Sequence, residues 1–84
     1  MSFTELSLLR LRVVADADPG AVARVIERFQ NINILPRRIV AEFGSHETLH
    51  IQVDVCGLPE AQLTQIAAMI GRAPNIVNAY WHRV

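Results

Sequence analysis

The feature that most constrains the fold is a change of hydrophobic period in the first third of the chain. Within the apolar run from Leu6 to Val14, Leu9, Leu11 and Val13 alternate with polar residues, which predicts a strand with one buried face. From Ala21 to Phe29 the apolar residues instead repeat at helical spacing, in a stripe of Val22, Val25, Ile26 and Phe29. The period changes across a six-residue turn made of Asp16, Ala17, Asp18, Pro19, Gly20 and Ala21.

This turn predicts a place where a small anionic group can be held. Asp18 is a suitable N-cap and Pro19 a suitable first helical residue. A helix that begins there directs backbone N–H groups and the positive end of its dipole into one small space. Because any strand-to-helix turn could use the same residues, a purely structural role stays open beside the binding role.

The next segment predicts a helix end and a hairpin. The first helix should stop near Asn31 to Asn33, because asparagine tolerates a left-handed conformation and Pro36 prevents continuation. A second strand from Leu35 to Phe43 ends at a Gly44-Ser45 turn. A third strand from Leu49 to Cys56 alternates strictly and pairs with the second.

The last third of the chain predicts one more helix and one more strand. The helix opens at Pro59-Glu60 and closes at Gly71 and Pro74. Its apolar stripe is Leu63, Ile66, Ala67 and Ile70. The final strand runs from Ile76 to Val84.

The order strand, helix, strand, strand, helix, strand predicts a single α+β domain over residues 1–84. With right-handed crossovers it gives a ferredoxin-like βαββαβ sandwich, with antiparallel strands in spatial order 4-1-3-2 and both helices on one face. The other face should meet water through Arg10, Arg12, His50, Gln52 and Asp54.

Composition predicts self-association. The chain has 84 residues, of which 51% are hydrophobic, and so small a domain cannot easily hide that much apolar surface. The second strand lies at a sheet edge, where a second copy could add its own strand. We therefore expect a homodimer whose interface contains Leu35, Arg37, Ile39, Val40, Ala41 and Phe43.

Other classes of function find little support. The net charge is zero, so there is no cationic field for nucleic acid or anionic lipid, and the open face lacks the aromatic residues of an RNA-recognition motif. The single cysteine, Cys56, excludes an internal disulfide and multi-thiolate clusters. With no leader-like N-terminus and no long apolar run, we expect a cytoplasmic protein without a membrane segment.

Catalytic and metal sites are also not expected. His46, His50 and His82 do not share a helix face, and no cluster of carboxylates joins them. An acylphosphatase has the same element order but needs an arginine and a glycine-rich phosphate cradle where this chain has Asp-Ala-Asp. We expect no cofactor, no metal and no enzymatic activity.

The segment from Val13 to Val25, followed by Phe29, Asn33 and Pro36, resembles the opening half of an ACT domain. A short stand-alone chain of this kind is most similar to the regulatory small subunits of acetolactate synthase. The resemblance implies a non-catalytic regulatory module that pairs through strand two. It also implies an amino-acid effector held where the turn of one copy faces strand two of the other, and a larger catalytic subunit as partner.

Carried over by position, the resemblance assigns roles to individual residues. Gly20 would let the effector carboxylate approach backbone N–H groups, flanked by Pro19 and Ala21. Asn33 matches a Gly or Asn position after the first helix, and Ile34 and Leu35 would line a pocket for a branched aliphatic side chain.

One position departs from the family pattern. Ala17 stands where the family commonly has an Asp or Asn that holds the effector amino group, and the neighbouring Asp16 and Asp18 point in different directions. The alternative is therefore a docking module of the same fold that binds a partner protein but no small molecule.

Overall fold

The computed structural model describes residues 7–84. Leu6 and the N-terminal residues on which the expectation of no leader depended lie outside this range. The secondary-structure elements are β1 (Leu8–Asp16), α1 (Ala21–Asn31), β2 (Arg38–Phe43), β3 (Thr48–Cys56), α2 (Glu60–Gly71) and β4 (Ile76–Arg83).

The four strands form one antiparallel sheet in the order β2-β3-β1-β4. This confirms the predicted ferredoxin-like topology, in which β2 and β4 are the edges. The long strands β1 and β3 pair over their full lengths, from Leu8 opposite Cys56 to Asp16 opposite Thr48. The two central strands therefore place every second residue on the face covered by the helices.

The core lies between the helices and one face of the sheet. Its strand residues are Leu9, Leu11, Val13, Ala15, Leu49, Ile51, Val53 and Val55. The helix α2 buries Leu63, Ile66, Ala67 and Ile70, as its periodicity predicts. In α1 the buried residues are Ala21, Val25 and Phe29.

Two residues of the predicted α1 stripe are only half-buried, namely Val22 and Ile26. The buried line of α1 is thus rotated by about one residue toward Ala21, and Ile26 is left at the margin, where it lines a surface depression with Leu35. The helical periodicity predicts which side of α1 is apolar, but it does not predict how much of that side the core covers.

The start of α1 corrects the predicted cap. The helix begins at Ala21 with Gly20 at the N-cap position, not at Pro19 with Asp18 as the cap. The N–H of Ala21 donates to the Asp18 carbonyl at 3.0 Å, so Asp18 to Ala21 form a turn before the helix begins. Pro19 occupies the position in that turn where its fixed φ is favourable.

The end of α1 confirms the predicted role of asparagine. Asn33 has a φ of 58°, in the left-handed region. The N–H of Asn33 donates to Gln30 and that of Ile34 donates to Phe29, at 3.0 and 2.9 Å. These are the two hydrogen bonds of a Schellman motif, and they satisfy carbonyls that the helix end would otherwise leave free.

The second strand is shorter than predicted, because it begins at Arg38 and not at Leu35. Pro36 has no N–H to donate to a ladder, so Leu35 and Pro36 stay outside the sheet. The N–H of Arg37 donates to the Asp54 carbonyl at 2.7 Å and marks the start of pairing.

The last element docks on α2. The indole N–H of Trp81 donates to the Thr64 hydroxyl at 2.8 Å, and Arg83 forms an ion pair with Glu60. Trp81 packs against the core, whereas its neighbour Tyr80 is on the open face, as expected for adjacent residues of a strand. The strand ends at Arg83, one residue before the predicted end.

Candidate functional site

The turn before α1 is built around the Asp18 carboxylate. Its Oδ2 accepts a hydrogen bond from Arg24 Nη1 at 2.8 Å, and its Oδ1 accepts one from the Gly20 N–H at 3.3 Å. The Arg24 guanidinium first, and then the Gly20 N–H, lower the pKa of Asp18 below its ordinary value. A carboxylate supplied by the chain itself therefore already lies at the start of the helix.

Most other backbone donors of the turn are also bonded within the chain. The N–H of Asp16 donates to Asn75 at 2.7 Å, and that of Ala17 donates to Glu47 at 3.0 Å. Among residues 7–84, these bonds leave the first-turn N–H groups of Val22 and Ala23 without a backbone acceptor. An external anion would have to approach those two groups.

Gly20 leaves space beside this helix start. Its φ is −82°, which any residue can adopt, so the backbone does not require glycine here. A Cβ at this position would lie 3.4 Å from Arg24 Nη2 and 3.6 Å from Asp18 Oδ2. A larger side chain would therefore fill the space without clashing with the backbone.

Five of the nine predicted effector residues line two separate surface depressions, and the other four, Asp18, Pro19, Gly20 and Ala21, line neither of the two. Asn33, Ile34 and Leu35 line one surface depression together with Ile26 and Pro36. A second depression contains Asp16 and Ala17, bordered by Phe43, His46 and Glu47. Within one copy, neither of these two depressions contains residues of both the turn and the loop after α1.

The open face of the sheet holds a buried ion pair that the sequence did not predict. Asp54 was expected to meet water, but it is 4% exposed. The reason is Arg10 on the neighbouring strand, whose Nε and Nη2 donate to the two carboxylate oxygens at 2.7 and 3.0 Å. Arg10 covers the carboxylate and lowers the pKa of Asp54, with smaller contributions from Gln52 and Arg38.

A second arginine of this face is held by a histidine. Arg12 Nε donates to His82 Nε2 at 3.1 Å, so His82 must carry its proton on Nδ1, which lies 2.9 Å from the Arg83 carbonyl. Arg12 also lines an open depression with Glu42 and Tyr80. Alternation placed these residues on one face, but their contacts depend on strand register, which the sequence did not give.

Residues 7–84 contain no group of three or more His, Cys, Asp or Glu side chains placed to share a metal ion. None of the helices in this range is long and apolar enough to cross a membrane.

The fold is shared with several solved structures. The C-terminal domain of the MgtC protein from Mycobacterium tuberculosis matches with a TM-score of 0.79 and 17% identity, over 100% of this chain and 94% of that one. The ACT domain of the GTP pyrophosphokinase of Chlorobium tepidum matches with a TM-score of 0.73 and 12% identity, over 89% and 96%.

The regulatory subunit of aspartate kinase from Thermus flavus also matches, with a TM-score of 0.69 and 12% identity, over 90% of this chain and 51% of that one. No protein-family model and no curated protein sequence matches the chain. At such low identities the likeness establishes an ACT-like, ferredoxin-like fold.

Proposed function

We propose that the chain is a non-catalytic regulatory domain of the ACT type that acts as a homodimer and binds an aliphatic amino acid between its two copies. The observation that carries this proposal is the uncovered edge strand β2. Ile39, Ala41 and Phe43 lie on the helix side of the sheet, yet all three are exposed. An apolar strand edge of this kind is suited to pairing with a second copy.

The surroundings of β2 support the same interface. Leu35 is 89% exposed and lines the depression that contains Asn33 and Ile34, and Phe43 is 81% exposed and lines the depression that contains Asp16 and Ala17. Two copies joined through β2 would bring the turn of one toward Leu35 of the other. Under this proposal, each of the two depressions holds part of the effector site, and the dimer brings one depression of each copy against the other depression of its partner.

The regulatory role is proposed by analogy with the matched ACT domain and aspartate kinase regulatory subunit. We further propose a catalytic partner similar to acetolactate synthase, on the basis of the sequence resemblance. An effector would act on such a partner only if it binds two states of the complex with different affinity.

A ligand-free docking module is the second candidate, and a specific observation favours it. Ala17 offers no polar side chain for an amino group, and the Asp18 carboxylate lies where an effector carboxylate would be expected. A second carboxylate would be repelled unless the Asp18 carboxylate moved away from the helix start. The same apolar edge could then bind a partner protein alone.

A melting-temperature screen against the twenty amino acids separates these candidates. A ligand that binds the native state must raise its stability, so the effector proposal predicts a higher melting temperature with at least one aliphatic amino acid at millimolar concentration. If none of the twenty amino acids raises the melting temperature, the effector proposal is wrong and the docking module remains.

The substitution Gly20→Leu tests where the effector binds. Its side chain would fill the space beside the helix start and is expected to reduce the ligand-induced increase by at least about half, with the dimer intact. Ala61→Leu is the matched control, because Ala61 is an exposed residue in the first turn of α2. Loss of the dimer together with the response would instead assign the turn a structural role.

A further inference from the structure

The open face of the sheet contains a depression with a volume of about 360 Å³. Sites for small molecules commonly have volumes of about 300 to 1,000 Å³. The register of the strands brings four residues of the open face into one row across the sheet. Arg12 lies opposite Tyr80 on β4 and opposite Gln52 on β3, and Gln52 lies opposite Val40 on β2. All four strands therefore contribute to one concave surface.

Two opposite charges line this depression without an ion-pair partner. Among residues 7–84, the ion pairs are Arg10 with Asp54, Arg24 with Asp18 and Arg83 with Glu60. Arg12 and Glu42 belong to none of them, although both line the depression. A ligand that carries both charges would satisfy both side chains.

The Arg12 guanidinium is held in an orientation that suits a carboxylate. Its Nε donates to His82, and the His82 ring is fixed in turn by the Arg83 carbonyl. This bond leaves the two Nη groups for an external acceptor, and their parallel N–H groups match the two oxygens of a carboxylate. The carboxylate of Glu42, which lines the same depression, suits an ammonium group.

The remaining lining is suited to an apolar side chain. Val14 and Val40 are half-buried side chains of the open face, and Tyr80 presents an aromatic ring that is 47% exposed. A simple anion would be repelled by Glu42, and a simple cation by Arg12. A ligand with separate positive and negative groups and an apolar part fits the whole set.

We propose that this depression is a binding site for a zwitterionic amino acid with an apolar side chain. Its carboxylate binds Arg12, its ammonium group binds Glu42, and its side chain packs on Val14, Val40 and Tyr80. The site lies on the opposite face of the sheet from the helices and does not depend on the effector site proposed at the dimer interface.

An NMR titration of the ¹⁵N-labelled protein tests this site. The probes are L-leucine and L-phenylalanine, and the expected result is saturable amide shifts concentrated in the central strands near Arg12. Two analogues of leucine serve as ligand controls: 4-methylpentanoate lacks the ammonium group and 3-methylbutylamine lacks the carboxylate. Each analogue should bind at least about tenfold more weakly than L-leucine.

Matched variants give the second measurement. Arg12→Gln and Glu42→Gln should each weaken L-leucine binding at least about tenfold, whereas Arg38→Gln on the same face and Glu27→Gln on α1 should not change it. Glu42 is an exposed edge residue, so its variant stays informative even if Arg12→Gln fails to fold.

The variants distinguish binding at the open face from binding at the dimer interface. Binding that persists in Gly20→Leu and is lost in Glu42→Gln supports the open face. Shifts confined to residues 16–21 and 33–35, or binding lost in Gly20→Leu but kept in Glu42→Gln, would overturn the open-face site and leave the interface site standing. No saturable shift with either probe would also overturn it.

Discussion

The Asp54 carboxylate shows how one side chain can hold two strands in register. Arg10 lies directly opposite Asp54 in the antiparallel pair of β1 and β3, and two hydrogen bonds join them. A shift of one residue would turn the arginine to the other face and leave the buried carboxylate without its donors. The ion pair therefore penalises incorrect pairing of the two longest strands.

The same pair predicts how stability depends on pH. Arg10 lowers the pKa of Asp54 in the folded protein below its ordinary value of 3.8. The unfolded chain therefore binds this proton at higher pH than the folded protein does. The stabilisation is complete above the ordinary value and is lost as the pH falls through the lowered folded value.

The measurement is the melting temperature of the wild-type chain and of Asp54→Asn between about pH 6 and pH 2. The wild-type protein should have the higher melting temperature at pH 6, and the difference in melting temperature between the two proteins should narrow progressively below about pH 4. Asp18, whose pKa is also lowered, is present in both proteins and cancels in the difference. A gap that stays constant down to pH 2 would show that the ionised form of Asp54 contributes nothing.

The burial of Asp54 marks a limit of single-sequence reasoning. Alternation correctly placed it on the face away from the core, because a strand has a period of two. Its burial depends on a partner 44 residues away, and only the register of β1 against β3 brings that partner opposite. The cap was misassigned for a local reason, since Asp18 to Ala21 close a turn and the helix then begins after Gly20.

At the scale of elements, local sequence was most informative where burial is one-sided. The α2 stripe and the alternation of β3 were both correct, because each element has one face on the core. The predicted start of β2 was wrong. No side chain of β2 is buried, so the apolar pattern did not indicate where the strand begins. Pro36, and not hydrophobicity, determines where pairing can begin.

The hairpin between β2 and β3 carries local strain that can be relieved. His46 and Glu47 both have a φ of 57°, the two left-handed positions of a type I′ turn. Residues with a Cβ are disfavoured there by roughly 1 kcal/mol each, whereas Asn-Gly is the preferred pair. The combined substitution His46→Asn and Glu47→Gly should therefore stabilise the chain by about 1 kcal/mol.

Urea unfolding at neutral pH measures this effect as an increase in the transition midpoint at an unchanged slope. The matched control is His46→Ala with Glu47→Ala, which removes the same side chains but keeps the left-handed conformation unfavourable. The Glu47 carbonyl that accepts the Ala17 N–H is retained in both variants. Equal stabilisation by both pairs would attribute the gain to side-chain loss and not to the turn.

For the whole molecule, the two sheet edges differ in what they expose. On β2 the helix side presents Ile39 at 39% exposure and Phe43 at 81% exposure, with Leu35 beside them. The other edge strand, β4, is covered on the same side by α2 through Trp81 and Thr64. This asymmetry predicts one preferred interface, and a twofold dimer would use it symmetrically.

A charge placed on each edge tests that expectation. Ile39→Glu would bury two carboxylates in a twofold interface at β2 and should weaken dimerisation at least about 100-fold, as measured by sedimentation equilibrium. Val77→Glu is the matched control, because Val77 is 65% exposed on β4, and it should leave the association constant unchanged. A wild-type monomer at high micromolar concentration would contradict the dimer. If Val77→Glu alone weakens dimerisation, the interface lies at β4. The dimer would then not bring together the two depressions beside β2 that are proposed to hold the effector.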